Sequence, residues 1–274
     1  MEISELKALS KKFRIQVLKM FMNAGSGHFG GSFSVTEILV ALYFGGILNV
    51  DPKRPRWEDR DRLVLSKGHA SGMLCAILAE RGFYPRELLD TYNHLNSPFG
   101  QHPDMNKIPG IDMSTGSLGH GLSVAVGMAL AARMDKRSYR CFAILGDAEI
   151  QSGMTYEAAM AAGNYGLDNV VMILDRNLYT MDGSSEELMS IEPIGEKLKS
   201  LKWSVATIDG HDYGQILKAL SSVPIEAGKP TAIIAKTVKG KGVSFMENTH
   251  AWHFKPLEQE AFQRALQELE ADKS

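Results

Sequence analysis

Ala143-Ile-Leu-Gly-Asp-Ala-Glu149 and Met172-Ile-Leu-Asp-Arg-Asn177 decide the fold. Each is an apolar run of strand type that ends abruptly in polar residues. Asp147 and Asn177 lie 30 positions apart, which leaves room for one helix between two adjacent parallel strands. Both side chains then emerge at the same sheet edge. A carboxylate and an amide oxygen there suit a hard cation such as Mg²⁺, which uses one or two carboxylates plus substrate phosphates. A helix over residues 154–165, opening near Ser152 or Gly153, would aim its amide-rich N-terminus at the same place and favour a diphosphate. A plainer account has Asp147 capping a helix and Asn177 in an ordinary turn. The pair alone leaves both open.

The surrounding sequence repeats the pattern of strand, small-residue turn and helix. Further apolar runs occupy residues 62–66, 203–208 and 231–237, and a helix is expected over 70–81. Strands of this kind alternating with helices indicate an α/β fold, a parallel sheet with helices on both faces. In such sheets ligands bind beyond the carboxyl ends of the strands. Apolar positions at helical spacing predict an N-terminal helix within residues 1–23, and Leu257, Phe262, Leu266 and Leu269 predict a closing amphipathic helix over 256–274. After the glycine-rich turn at residues 24–33, Ser34 and Glu37 read as a capping box opening a helix to about Phe44. The whole chain, 1–274, reads as a single domain.

Composition narrows the function. The 274 residues are 44% hydrophobic and 23% charged, with a formal charge of −2. No basic stripe suggests a nucleic-acid surface. Cys75 and Cys141 sit in apolar runs without C-x-x-C spacing and read as buried small hydrophobes of a reducing compartment. With no signal-peptide core and no stretch of membrane-spanning length, the expectation is a soluble, cytoplasmic protein. No G-x-G-x-x-G follows the first strand, so a dinucleotide-binding reading fails.

The remaining motifs add specificity: Ser26-Gly-His28, Asp59 through Ser66-Lys-Gly-His69, Gly100-Gln-His-Pro103, Ser114-Thr-Gly-Ser-Leu-Gly-His-Gly121, Asp209-Gly-His-Asp212, Lys239-Gly-Lys-Gly-Val-Ser-Phe245 and His250-Ala-Trp-His253. In order and spacing they resemble the transketolase family over roughly residues 10–257. The Asp147–Asn177 pair likewise resembles the family's thiamine-diphosphate signature. The resemblance implies thiamine diphosphate with Mg²⁺, or another divalent cation such as Ca²⁺ or Mn²⁺, as cofactors. It implies metal ligation by Asp147, Asn177 and the Tyr179 carbonyl, and cofactor contacts from His69, Gly116, Ser117, Leu118, Gly146, Asp147, Ala148, Asn177 and His253. His28, His102 and His253 are the implied catalytic histidines, with His250 the alternative for the last. His211 reads as structural, at the start of a helix.

In the family, the glutamate that activates the cofactor and the sugar-phosphate clamp lie in later domains, and no pyrimidine-binding domain follows residue 274. The resemblance therefore implies an N-terminal subunit of a split transketolase, with two copies each of this chain and of a C-terminal partner carrying that domain. The implied reaction is two-carbon transfer between sugar phosphates. The alternatives are a transketolase-like enzyme on an unusual sugar phosphate, a deoxyxylulose-phosphate synthase relative, or a degenerate binding subunit. Five positions depart from the family pattern: Ala148 for glycine, Ser152 for glutamate, His120 for glutamine, Arg176 for asparagine and Phe29 for proline. Ala148 fits without strain only at negative φ.

Overall fold

The computed structural model describes residues 1–271. Its strands are β1 (Ser26–Gly27), β2 (Arg62–Leu65), β3 (Cys141–Gly146), β4 (Val170–Arg176), β5 (Ser204–Asp209), β6 (Thr231–Lys236) and β7 (Lys255–Pro256). The five strands β2 to β6 form a parallel sheet in the order β2-β3-β4-β6-β5, while β1 and β7 pair antiparallel apart from it. Gly146 stands opposite Asp175 in the β3–β4 register, so Asp147 and Asn177 leave the sheet at one edge.

The sheet is buried on both faces, which explains its unbroken apolar runs. Phe142, Ile144, Val171, Ile173, Ile233 and Ala235 point into one core with the helices Ile3–Asn23, Thr36–Phe44 and Ser71–Arg81. Their neighbours Ala143, Leu145, Met172, Leu174, Ala232 and Ile234 point into the other, with Gly121–Met134 and Gly153–Asn164. Period-two alternation thus serves two apolar layers. Cys75 and Cys141 are free and buried. No helix among the described residues is long and apolar enough to cross a membrane.

Both terminal helices form: Ile3–Asn23 and Gln259–Ala271. The expected tail of 256–274 begins later, because Lys255–Pro256 pairs with Ser26–Gly27, and residues 272–274 lie outside the described residues.

The Ser34–Glu37 capping box is not made. Val35 occupies the N-cap of Thr36–Phe44 without a side-chain cap. Ser34 Oγ instead donates to Asp175 at 2.6 Å, and Glu37 forms a buried bidentate pair with Arg14 at 2.6 and 2.7 Å. His211 Nδ1 reaches the same carboxylate at 2.8 Å, while the Val238 N–H donates to His211 Nε2 at 2.9 Å. That assigns the His211 proton to Nδ1 and makes the residue a structural tie, with Asp212 capping the next helix.

Burial works to raise the Glu37 pKa, yet the attraction of Arg14 and the hydrogen bonds of His211 and Arg14 outweigh it, holding the group near about 2. A carboxylate depressed in the folded state stabilises above its unfolded pKa of 4.5, and that contribution is lost as pH falls toward about 2. Removing the guanidinium strands a buried charge. Arg14→Met is expected to lose about 3–5 kcal/mol in urea unfolding at pH 7; a loss under about 1 kcal/mol would show that the pair does not hold the two helices together.

Candidate active site

Four neighbouring strands end at one edge, and the residues just beyond them build the site. Ser66 and Lys67 follow β2, Asp147 follows β3, Asn177 follows β4, and Thr237 through Lys239 follow β6. Of these, Lys67, Asp147, Asn177 and Lys239 line a cavity of about 300 Å³ whose walls also include His69 and Tyr179.

Asp147 is buried with both oxygens engaged. Oδ2 accepts the backbone N–H groups of Asn177 and Leu178 at 2.9 and 2.8 Å. Oδ1 accepts from Arg176 Nη1 at 2.6 Å. Arg176 also pairs with Glu186 and Glu192 at 2.6 and 3.0 Å, tying the Asp147 turn to the loop after β4. Burial lifts the Asp147 pKa to about 6 despite the attraction of Arg176. Leu178 takes a left-handed φ of 69°, a strain of about 1–3 kcal/mol for a non-glycine residue. The strained residue sits between Asn177 and Tyr179, where its N–H reaches Asp147.

Asp147, Asn177 and Tyr179 all line the cavity and offer oxygen donors. A carboxylate oxygen keeps a second lone pair beyond the one Arg176 uses, and the Tyr179 carbonyl accepts no hydrogen bond among the described residues. No trio of His, Cys, Asp or Glu is arranged for a metal among the described residues. The donors therefore fit a hard divalent cation that arrives with an anionic ligand, one carboxylate and neutral oxygens completing the shell.

Ala148 lies in the helical turn Asp147–Ile150 with φ outside the left-handed region. Alanine is thus accommodated without strain, and its amide, in the first turn, has no intrahelical acceptor. The Gly146 N–H, by contrast, donates to Glu149 Oε2 at 3.0 Å. The longer helix does begin at Gly153, but contrary to expectation its N-terminus is not part of the cavity wall; the intervening turn from Asp147 is.

His69 and His253 line the cavity with ring centroids 4.9 Å apart. His28 stands behind them, 5.3 Å from His69 and 5.5 Å from His253, and His102 is 6.2 Å from His28. Burial is the main cause holding all four below the usual histidine pKa, His28 at about 4 and His253 at about 3. Near neutral pH they are uncharged hydrogen-bonding groups. Leu118 reaches the cavity, whereas Gly116 and Ser117 do not. Gly116 packs on His102, where an added Cβ would lie 3.3 Å from the ring. His250 is exposed and outside the cavity.

Sequence reading assigns no role to Lys67, Lys239 or Glu149. Lys67 is 1% exposed and ion-paired with Asp175, donating also to the Gly31 carbonyl at 2.8 Å. Burial works to raise the Asp175 pKa, but Lys67 and the hydroxyls of Ser34 and Thr237 hold it below the usual carboxylate range. Glu149 accepts from Ser66 and from the Gly119 and Gly146 N–H groups, pinning three loops. Lys239 donates to the Thr180 carbonyl and sits 3.1 Å from His253 Nδ1. It makes no ion pair among the described residues, and burial, reinforced by repulsion from Lys67, drops its pKa to about 7. A buried cation on a cavity wall is satisfied by an anionic ligand. The detectable signal for the lysines is their place just beyond two of the apolar runs, 62–66 and 231–237.

The profile described as "Transketolase, thiamine diphosphate binding domain" matches residues 6–273. The chain belongs to the transketolase N-terminal, thiamine-diphosphate-binding family. It is 42% identical over 268 residues to the 6-deoxy-6-sulfo-D-fructose transketolase subunit SqwG of Clostridium sp. (strain MSTE9), covering 98% of this chain and 97% of that protein. It is 40% identical over 269 residues to an apulose-4-phosphate transketolase subunit from Phocaeicola vulgatus, covering 98% and 95%. Transketolase from Campylobacter jejuni superposes with a TM-score of 0.92 at 33% identity, over 99% of this chain and 44% of that one. This family member thus spans under half of a single-chain transketolase.

Lys239, without an ion pair among the described residues, carries a stability cost that can be measured. Its folded pKa lies below the unfolded value of 10.5, so its penalty is full below about pH 7 and fades as pH rises toward 10.5. In the cofactor-free chain Lys239→Met is expected to raise Tm by about 2–8 °C at pH 6, with a smaller gain at pH 9.5. A loss of stability at pH 6 would contradict a cation held in waiting.

Proposed function

We propose that this chain is the N-terminal subunit of a two-subunit transketolase that moves a two-carbon ketol unit from a ketose phosphate to an aldose phosphate. The observation that carries this is the edge where Asp147, Asn177 and the Tyr179 carbonyl meet two buried lysines across one small cavity. Such an arrangement suits a magnesium diphosphate: oxygen donors for the metal and cations for the phosphoryl oxygens.

Thiamine diphosphate supplies, when bound, the carbanion chemistry that breaks and remakes the carbon–carbon bond. The chain's own residues do the rest. Asp147, Asn177 and Tyr179 would hold the metal, with Lys67, Lys239 and the Ala148 amide toward the diphosphate. Neutral His28, His69, His102 and His253 would accept and donate hydrogen bonds to the sugar hydroxyls and the cofactor. Burial keeps them uncharged, so they add no positive charge beside the two lysines.

The partner is proposed to be a C-terminal subunit carrying the pyrimidine-binding half, two copies of each chain assembling symmetrically. Two features support it: the coverage of 44% of a single-chain transketolase, and exposed apolar side chains at the mouth of the cavity. Met181 and Leu188 line the cavity yet are 63% and 57% exposed, and neighbouring Met189 is 61% exposed. Both subunit relatives are named for uncommon sugars, a sulfonated fructose and apulose 4-phosphate. A non-standard sugar phosphate or sulfonate is therefore the substrate class to screen first.

Calorimetric titration of thiamine diphosphate and Mg²⁺ into the purified chain tests this reading, with Asp147→Ala as control and with the partner added. Binding is expected only when cofactor and metal are present together, since the chain offers one carboxylate. It should weaken at least tenfold in the variant and tighten with the partner. Binding of cofactor that ignores both Mg²⁺ and Asp147 would overturn the metal assignment. No binding under any condition would leave a degenerate subunit. Two-carbon transfer by the chain alone would overturn the need for a partner.

A further inference from the structure

Two polar atoms near the histidine cluster are sealed from solvent without a hydrogen-bond partner among the described residues: His28 Nδ1 and Gln101 Oε1. Orphans of this kind cost about 1–3 kcal/mol each. They are chemically complementary, one a potential N–H donor and the other an amide acceptor. Gln101 is also the single neighbour that favours the protonated His28 ring, as an acceptor for its N–H does, while burial, His102 and Lys239 oppose it.

The ring is held on its other sides. Phe254 leans on it with centroids 4.7 Å apart and planes 40° apart, and is itself 46% exposed at the rim. His69, His253 and His102 surround it at 4.7 to 6.2 Å together with Phe254. The next residue after Gln101 is His102, so one short segment delivers both the amide and a neighbouring histidine.

We infer that Gln101 is a positioning residue: its side-chain carbonyl accepts the His28 Nδ1–H, which fixes the tautomer and leaves Nε2 as a hydrogen-bond acceptor for a ligand hydroxyl. An isolated imidazole prefers the opposite tautomer, with the proton on Nε2, so the assignment has a distinct signature. His211 shows the same device in the same chain, with Nδ1 toward an acceptor and Nε2 receiving an N–H. That the ligand is the sugar rests on the transketolase reading; the tautomer does not.

Imidazole-labelled ¹⁵N NMR of the full chain tests the assignment. Wild type is expected to carry the His28 proton on Nδ1. Gln101→Leu should move it to Nε2 and lower the His28 pKa, whereas Gln101→Glu, which keeps an acceptor, should retain Nδ1–H and raise it. The resonances of His94, His211 and His250 report whether each variant stays folded, and the wild-type tautomer decides the matter if a variant does not. A proton on Nε2 in wild type, or no change in Gln101→Leu, would overturn the inference. With the partner chain present, Gln101→Leu should raise KM for the ketose about tenfold with a much smaller change in kcat. An altered tautomer with unchanged KM would keep the positioning role and remove His28 from sugar binding.

Discussion

The carboxylate of Asp175 is the constraint from which the site is built. It is fully buried at the end of β4 and takes the Lys67 ammonium from beyond β2, the Thr237 hydroxyl from beyond β6 and the Ser34 hydroxyl from the N-terminal glycine-rich segment. A charge at that depth persists only if every lone pair is answered. Each answer comes from a different strand end or loop, so satisfying one carboxylate fixes four segments relative to one another. An apolar residue of similar volume at 175 could match the pair in packing energy, but nothing would then hold a lysine ammonium at the edge of the cavity.

Much of the architecture was legible because it rests on periodicity. Unbroken apolar runs mark buried parallel strands, and their polar ends mark the ligand edge, so Asp147 and Asn177 could be placed together from spacing alone. The glycine-to-alanine change at 148 was also decidable in principle, since it turns on a single backbone dihedral. The failures have a common cause in long-range pairing. Ser34 and Glu37 have capping-box spacing, but Ser34 finds its acceptor 141 residues away in Asp175, and Glu37 its donors 23 and 174 residues away in Arg14 and His211. Buried partners of that strength outcompete a local cap worth about 1 kcal/mol. Lys67, Lys239, Glu149 and Gln101 were unassigned for the same reason. Their meaning lies in which loops they join, and apart from the place of the two lysines beyond apolar runs, sequence neighbours carry little of it.

The distribution of charge separates folding from function. Lys67 is ion-paired with Asp175; Lys239 makes no ion pair among the described residues, and burial, reinforced by repulsion from Lys67, drops its pKa to about 7. Arg176 holds Asp147, which would otherwise be a second buried charge with only backbone donors. Lys67–Asp175 and Arg176–Asp147 are thus matched pairs, while the Lys239 ammonium and the neutral oxygens of Asn177 and Tyr179 remain on the cavity wall. A diphosphate with its own divalent metal meets both kinds of group, phosphoryl oxygens for the ammonium and a metal for the oxygen donors.

Four imidazoles crowded within a few ångströms would repel one another if charged, and the two lysines would add to the repulsion. Burial holds the histidines neutral, with the lysines adding to it at His28, His69 and His253, which leaves tautomer as the remaining variable at each ring. A neutral imidazole offers one donor and one acceptor, and only the partner of one nitrogen decides which is presented by the other. For His28 that partner is inferred to be the Gln101 amide, which does not line the cavity. Residues such as Gln101 thereby acquire influence over the reaction through the direction of a single proton, without touching the substrate. The specificity of such a site is consequently written in its supporting amides as well as in the side chains that line it.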